Sequence, residues 1–526
     1  MATKRRPQRE RVNGLEPVLI SALSAVVGDY SVADRLDGPT SKKDVRPRRH
    51  RTSHTTPLNL DTLDFHAAYA VFGPIWDFAE SIDSQLATRR GPGRPREYAM
   101  CSIVMSDVML QQKLSVRGTF RSIENPIAWN HLRHRVEQAW PEHPERRLPE
   151  KPLSRYQYNR GRKILLNEVF CYIDQLREHV RTTQLEIAKR IGCFANTDSL
   201  THPDSHNIIY GDATWMASLY ASTSDTPHID AETGEILGRL YDPDAERYRD
   251  GTQAPGNYWV SLSVRTKHEH ERVIVDAQFK PRGVGDGGVF TNMVLPIFEV
   301  HPQIRGVGYD MALYATDQDR ILDTGRHVLV KTPLTKKGRR AEVPLGALIF
   351  KDGARSISMP VTAVDGTPGV QLVVDGQRHF QPLERVQTKL RNKTVYGRWR
   401  IPKHPSVSAH LQGLTTMIRH SSTADERANN KPRTRALRTI PPTDADWAGL
   451  YGGREDLESM HNNMKEKMFG RRARAVGLQK RELQLRGYQT HQGITALLAW
   501  HFRTGGDVSS YFGEWKPPDR NPKPRR

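Results

Sequence analysis

Between Asn207 and Lys331 the chain alternates between strand-like and helix-like hydrophobic patterns, and that succession limits its possible folds more than any other feature. Asn207-Ile-Ile-Tyr-Gly-Asp212-Ala-Thr-Trp-Met-Ala217 reads as a strand, Tyr258 to Arg265 alternates as a second, and Arg272 to Phe279 as a third. A helix over Val289 to Phe298 follows, then a short strand around Gly306-Val-Gly-Tyr-Asp310. A helix over Thr316 to Leu322 and a last strand at His327 to Lys331 complete the series. Such an order predicts an α/β domain, a mixed sheet flanked by helices. Two carboxylates, Asp212 and Asp310, sit in apolar runs on the first and fourth strands. Burying a carboxylate is costly unless it is paired or bonded, or serves a ligand. A structural aspartate held by backbone donors is the competing reading of each.

A third acid lies far downstream. In Tyr451-Gly-Gly-Arg454-Glu-Asp-Leu-Glu458-Ser-Met-His-Asn-Asn-Met-Lys465, a helix at ~100° per residue brings Tyr451, Arg454, Glu458 and Lys465 within ~60° of one another. One face then carries an aromatic hydroxyl, a guanidinium, a carboxylate and an ammonium. A solvated helix with an i,i+4 ion pair is the plainer reading. A face that holds a metal through Glu458 and phosphate oxygens through Arg454 and Lys465 is the sharper one. His461 and Asn462, one turn on, could orient the carboxylate or be ordinary polar helix positions. Asp276, Asp286, Asp317, Asp319, Glu455 and Asp456 are rival acids, but only Glu458 keeps the Tyr/Arg/Lys spacing.

The spacing Tyr-x2-Arg-x3-Glu-x6-Lys, with the two upstream aspartates, resembles the signature of DDE transposases of the insertion-sequence-four type. Their catalytic core is ribonuclease H-like, and the resemblance spans roughly 90 to 505. It implies that the first and fourth strands lie side by side, so that Asp212, Asp310 and Glu458 form the catalytic, metal-holding triad. It implies Mg2+ as cofactor, with Mn2+ as a substitute, and a two-metal in-line displacement at phosphorus. Water would first release a 3′-OH at the element end, and that 3′-OH would then attack target DNA. Tyr451, Arg454 and Lys465 would grip DNA near the cut. Relatives that form hairpin intermediates set aromatics of an insertion against a flipped base, a role that would fall to Trp399 between Arg398 and Arg400. A Trp packed in the insertion core is the alternative. The partner would be double-stranded DNA, bound by a homodimer in the bacterial cytoplasm at the nucleoid. A silent DNA-binding relative, or a nuclease that cuts without joining, are the other functions to weigh.

Composition agrees with a nucleic-acid partner: 79 Lys and Arg against 59 Asp and Glu leave a net charge of +20. The three cysteines, Cys101, Cys171 and Cys193, have no metal-ligand spacing and no disulfide pattern. Neither a signal peptide nor a membrane-spanning run is evident.

The length, 526 residues, calls for several domains. Residues 1–56 read as a basic arm and 57–195 as a helical DNA-binding region. In the latter, Gly93-Arg94-Pro95-Arg96 can lie in an A·T-rich minor groove, and Leu114 to Arg117 forms a turn before a recognition-type helix. Tyr156 to about Ile191 reads as one long amphipathic helix, and 136–156 as a loop. The catalytic core occupies 200–331 and 443–505, interrupted over 332–442 by a basic, β-rich insertion. Residues 506–526 form a basic tail.

Overall fold

The computed structural model describes residues 62–517, apart from 88–97, 111–119, 121–122, 196–198, 220–227, 230–235, 239–241, 249–250, 269, 333–341, 353–354, 375–376, 404–406, 408, 469–470 and 474. The basic arm, the Arg94 and Arg96 segment, the Leu114 to Arg117 turn and residues 518–526 lie outside the described residues. The first part of the expected tail is folded instead, with Tyr511, Phe512 and Trp515 buried in the core that the N-terminal helices share.

The chain is mixed α/β. Its first described part is helical: α1 (Thr62–Ala70), α2 (Gly73–Ala87), α3 (Met100–Met109), α4 (Pro126–Ala139), α5 (Arg155–Glu168) and α6 (Tyr172–Arg190). The sequence reading did not anticipate α4, although its start signal is strong. The Asn125 side chain caps the amides of Ile127 and Ala128, and Pro126 takes a first-turn position where no amide hydrogen is needed. The single helix expected from Tyr156 is two. Ser154 and Gln157 form a reciprocal cap at the start of α5, but Val169 turns extended and Cys171 is left-handed (φ 48°). No glycine or proline marks this break. It lets both helices bury their apolar sides, with Tyr172 of α6 set against Phe78 of α2.

The central sheet contains β1 (Ile208–Ala217), β2 (Gly256–Arg265), β3 (Arg272–Phe279), β4 (Gly306–Gly308) and β5 (His327–Leu329), in the order β3-β2-β1-β4-β5. β1 pairs antiparallel with β2 and parallel with β4, and β2 and β3, like β4 and β5, are also paired. The first and fourth strands are therefore neighbours. Side chains alternate between faces, so Ile209 joins one core with α7 (Asp286–Val300) and the N-terminal helices, while Ile208 and Tyr210 join another beneath the C-terminal helices. Both faces are covered, so β1 to β3 are buried along nearly their whole length.

A short helix, α8 (Ala315–Leu322), leads from β4 to β5. Then come β6 (Glu342–Asp352), β7 (Arg355–Val364), β8 (Thr367–Val374) and β9 (Gln377–Pro382), a four-stranded antiparallel sheet, and β10 (Glu384–Arg391), β11 (Thr394–Arg400) and β12 (Thr415–Arg419), a three-stranded one. These sheets share their own apolar core. Two buried arginines join this region to the rest. Arg385 of β10 binds Asp444 (2.7 and 3.0 Å) and Asp446 (2.8 Å), and Arg438 donates to the carbonyls of Val330, Lys331 and Leu437. After a short helix, α9 (Ala424–Ala428), the chain enters α10 (Ala445–Tyr451), α11 (Glu455–Glu466), the long α12 (Leu478–Thr504) and α13 (Ser509–Phe512). No helix among the described residues is long and apolar enough to cross a membrane.

Candidate functional site

The signature stretch is not one uninterrupted α-helix. α10 ends at Tyr451, Gly452–Arg454 tighten into a turn, and α11 begins at Glu455, all with right-handed backbone angles. Packing explains the glycines. A Cβ on Gly453 would stand 2.4 Å from the Tyr210 ring, and the Tyr210 hydroxyl donates to the Leu450 carbonyl (2.7 Å). Pressing the turn against β1 puts the signature over the strand that carries Asp212. Tyr210, Asp212 and Thr214 alternate onto the same face.

Arg454 lies among the acids. Its Nη2 donates to Glu458 Oε1 at 2.8 Å and its Nη1 stands 3.5 Å from Asp212 Oδ1. Burial works against its charge, but Tyr451, Asp212, Glu458 and Asp310 outweigh that and hold its pKa above the ordinary value. Lys465 donates to Thr214 Oγ1 at 2.5 Å, and burial lowers its pKa, as does Arg471, with Asp212 acting in the opposite direction. Tyr451 stacks on Trp447 (ring centroids 4.8 Å apart, 9° between planes) and has Lys331 and Arg454 over its ring. The four signature side chains thus converge on the acidic end of β1. Asp310, expected on β4, lies two residues past its end and accepts from the Ala312 amide at 2.9 Å. Burial raises its pKa, helped by Asp286 and Asp212 and opposed by the Ala312 amide and Arg454.

Two of the carboxylates, Asp212 and Glu458, therefore flank one guanidinium, and Asp310 lies near enough to feel its charge. Among the described residues, no group of three or more His, Cys, Asp and Glu side chains is drawn together closely enough to hold a metal ion. Glu458 is turned toward Arg454, and its side chain is 54% exposed. The donor set nonetheless suits a hard divalent cation, since all three acids offer oxygen. A positive group already lies among them.

Four of the rival acids have other partners, whereas Asp286 lies near enough to Asp310 to raise its pKa. Asp276 accepts from Arg177 Nε and Nη2 (3.0 and 2.7 Å), Asp319 accepts from the Ser422 amide (2.7 Å) and pairs with Arg427, and Asp456 pairs with Arg265 and Arg272. Asp317 lies 3.7 Å from Arg320.

Trp399 corrects an expectation. It is fully buried in the insertion core, near His420 and directly over Gly397, so it offers no face to a base. The alternating strand β11 turns Trp399 inward while its neighbours Arg398 and Arg400 face out. The basic turn after α11 is likewise structural in part. Arg472 is buried and donates to the Leu219 carbonyl, and the Ala473 amide bonds the end of β1. His461 is the group whose weight the sequence understated. It is buried, with Nε2 2.6 Å from Ser261 Oγ and Nδ1 3.4 Å from Asp212 Oδ2, whereas Asn462 beside it is exposed. The signal available was its position three residues after Glu458, on an adjoining part of the helix surface.

No family model and no curated protein matches this chain.

Proposed function

We propose that the protein is a DNA transposase with a ribonuclease H-like core, acting through a DDE triad of Asp212, Asp310 and Glu458. The observation that carries this reading is the strand order β3-β2-β1-β4-β5, with Asp212 on β1, Asp310 two residues past the end of the adjacent parallel β4, and Arg454 linking Asp212 to Glu458. A net charge of +20 suits a polyanionic substrate.

In this reading Asp212, Asp310 and Glu458 would hold Mg2+ or Mn2+. Two such ions when bound lower the pKa of the attacking hydroxyl and stabilise the leaving oxygen. The chain's own residues bind and orient. Arg454 exchanges its carboxylate partners for a phosphate, to which its planar fork is suited. Lys465 offers a second cation beside Thr214, and Tyr451, braced by Trp447, lines the approach. The protein works as a homodimer joining two element ends.

The test compares wild type with Glu458→Gln on DNA carrying the sequences that flank the reading frame, in Mg2+ and in Mn2+. Cleavage and joining by wild type, with the variant binding DNA but inert, is the expected result. Cleavage without joining would make it a nuclease. Binding without cleavage by either protein would leave a DNA-binding relative as the better account. Cleavage by Glu458→Gln would remove Glu458 from the triad.

A further inference from the structure

Asp212 and Ser261 are cross-strand partners on β1 and β2, so their side chains share a face. α11 lowers His461 onto that face. Its Nε2 lies 2.6 Å from Ser261 Oγ, its Nδ1 lies 3.4 Å from Asp212 Oδ2, and Trp259, two residues before Ser261 on the same face, walls the ring at 5.4 Å between centroids. The imidazole is buried, at 3% exposure, so its nitrogens need partners within the protein. A carboxylate oxygen only accepts, and a serine hydroxyl can donate. The partners therefore assign the hydrogen to Nδ1, facing Asp212, and leave Nε2 to accept from Ser261. The Nδ1 contact is longer than a good hydrogen bond, and Nδ1 has no hydrogen-bond partner as placed. The ring is aimed at Oδ2 without yet closing on it.

We propose that His461, steadied by Ser261, is a positioning residue for Asp212, fixing from the Oδ2 side a carboxylate that would help hold the divalent cation of the proposed site. This rests on the transposase reading. The division of labour follows from the geometry. Arg454 faces Oδ1 and can be drawn away by a phosphate, whereas His461 is buried between α11 and the sheet, with its Nδ1 beside Oδ2. Groups that orient ligating side chains in this way commonly change metal affinity by about 10–100-fold. Glu458 and His461, three residues apart on α11, would tie the third acid and the aim of the first to one rigid element.

The experiment titrates Mn2+ into the full chain bound to a mixed-sequence DNA duplex, by calorimetry, for wild type, His461→Ala, His461→Gln and Ser261→Ala. Mn2+-dependent nicking of supercoiled plasmid is measured in parallel. His461→Ala is expected to weaken Mn2+ binding about 10-fold or more and to shift the metal dependence of nicking by the same factor. DNA affinity should stay within about twofold, and saturating Mn2+ should restore most of the rate. His461→Gln, which keeps a donor, should recover part of the loss, and Ser261→Ala should show a smaller shift in the same direction. A merely structural role would lower DNA binding, rate and thermal stability together and leave the Mn2+ curve in place, and that result overturns the proposal. If His461→Ala does not fold, an unchanged Mn2+ curve for Ser261→Ala and His461→Gln overturns it equally. Wild type that neither binds Mn2+ nor nicks DNA would instead fail the transposase reading, and the positioning role with it.

Discussion

Two aspartates on the same sheet have opposite surroundings. Asp276 on β3 is wholly enclosed and saturated, with two short bonds from Arg177, the Ala277 amide at 2.7 Å and Arg486 at 3.8 Å. Asp212 on β1 is nearly as buried, yet among the described residues its two oxygens are met only at 3.5 and 3.4 Å, by Arg454 and His461. Neither strand by itself distinguishes them, because each places an acid in an apolar run. The difference lies in who faces them. A carboxylate whose lone pairs are all engaged at short range is part of the scaffold. One whose oxygens are met only at longer range retains capacity for a ligand, at a cost in stability that the fold must offset elsewhere.

Breaking each side of this comparison should have different consequences. The largest effect is expected for Asp212→Asn and Glu458→Gln, which should reduce metal-dependent DNA cleavage by about 1,000-fold or more while thermal stability and DNA binding stay near wild type. A variant that unfolds instead would put Asp212 in the same class as Asp276. Next, Asp276→Asn should destabilise the protein by about 3 kcal/mol in urea titrations, because it strands buried arginine charge. Cleavage per folded molecule should be unchanged. Gly453→Ala should cost about 2 kcal/mol by driving a methyl group into the Tyr210 ring. It should also lower cleavage by moving the signature off β1, which a joint measurement of melting and turnover would detect.

The smallest effect concerns Asp310 and has the opposite sign. Burial raises its pKa in the folded metal-free protein, so its ionised form disfavours folding. The contribution is absent below the unfolded carboxylate range and appears as pH rises through the folded pKa. Asp310→Asn should therefore melt slightly higher than wild type at neutral pH, with the gain shrinking as pH falls toward about 4. Melting curves across that range without metal would check it. A loss of stability at neutral pH would mean that Asp310 is a structural acid like Asp276.

The sequence was most informative where one local period held. The strands at 208–217, 256–265 and 272–279 and the helix at 286–300 are legible from alternation and amphipathicity. Asp212 lies on the first strand as that reading has it, whereas the fourth strand ends at Gly308, two residues before Asp310. It was least informative where packing overrides pattern. Nothing in Val169-Phe170-Cys171 announces the break between α5 and α6, and the charged spacing around Tyr451 to Lys465 reads as an unbroken helix. Only the Tyr210 ring beneath Gly453 accounts for the tightened turn. Trp399, set between two arginines, looks from sequence like a nucleic-acid contact, but strand alternation and the insertion core turn it inward.

The sequence by itself determined which residue types exist and at what spacing: three acids, the Tyr/Arg/Glu/Lys set and the α/β succession that can carry them. Hydrophobic period and helical pitch are local, so they survive without knowledge of the fold. Tertiary structure decided which acids are engaged and which are left open. It set Arg177 on Asp276, Arg265 and Arg272 on Asp456, and His461 with Ser261 beside Asp212. Those pairings join residues 99 to 200 positions apart, or more, in the chain. Electrostatic satisfaction depends on distances of a few ångströms between such residues, and no local pattern encodes them.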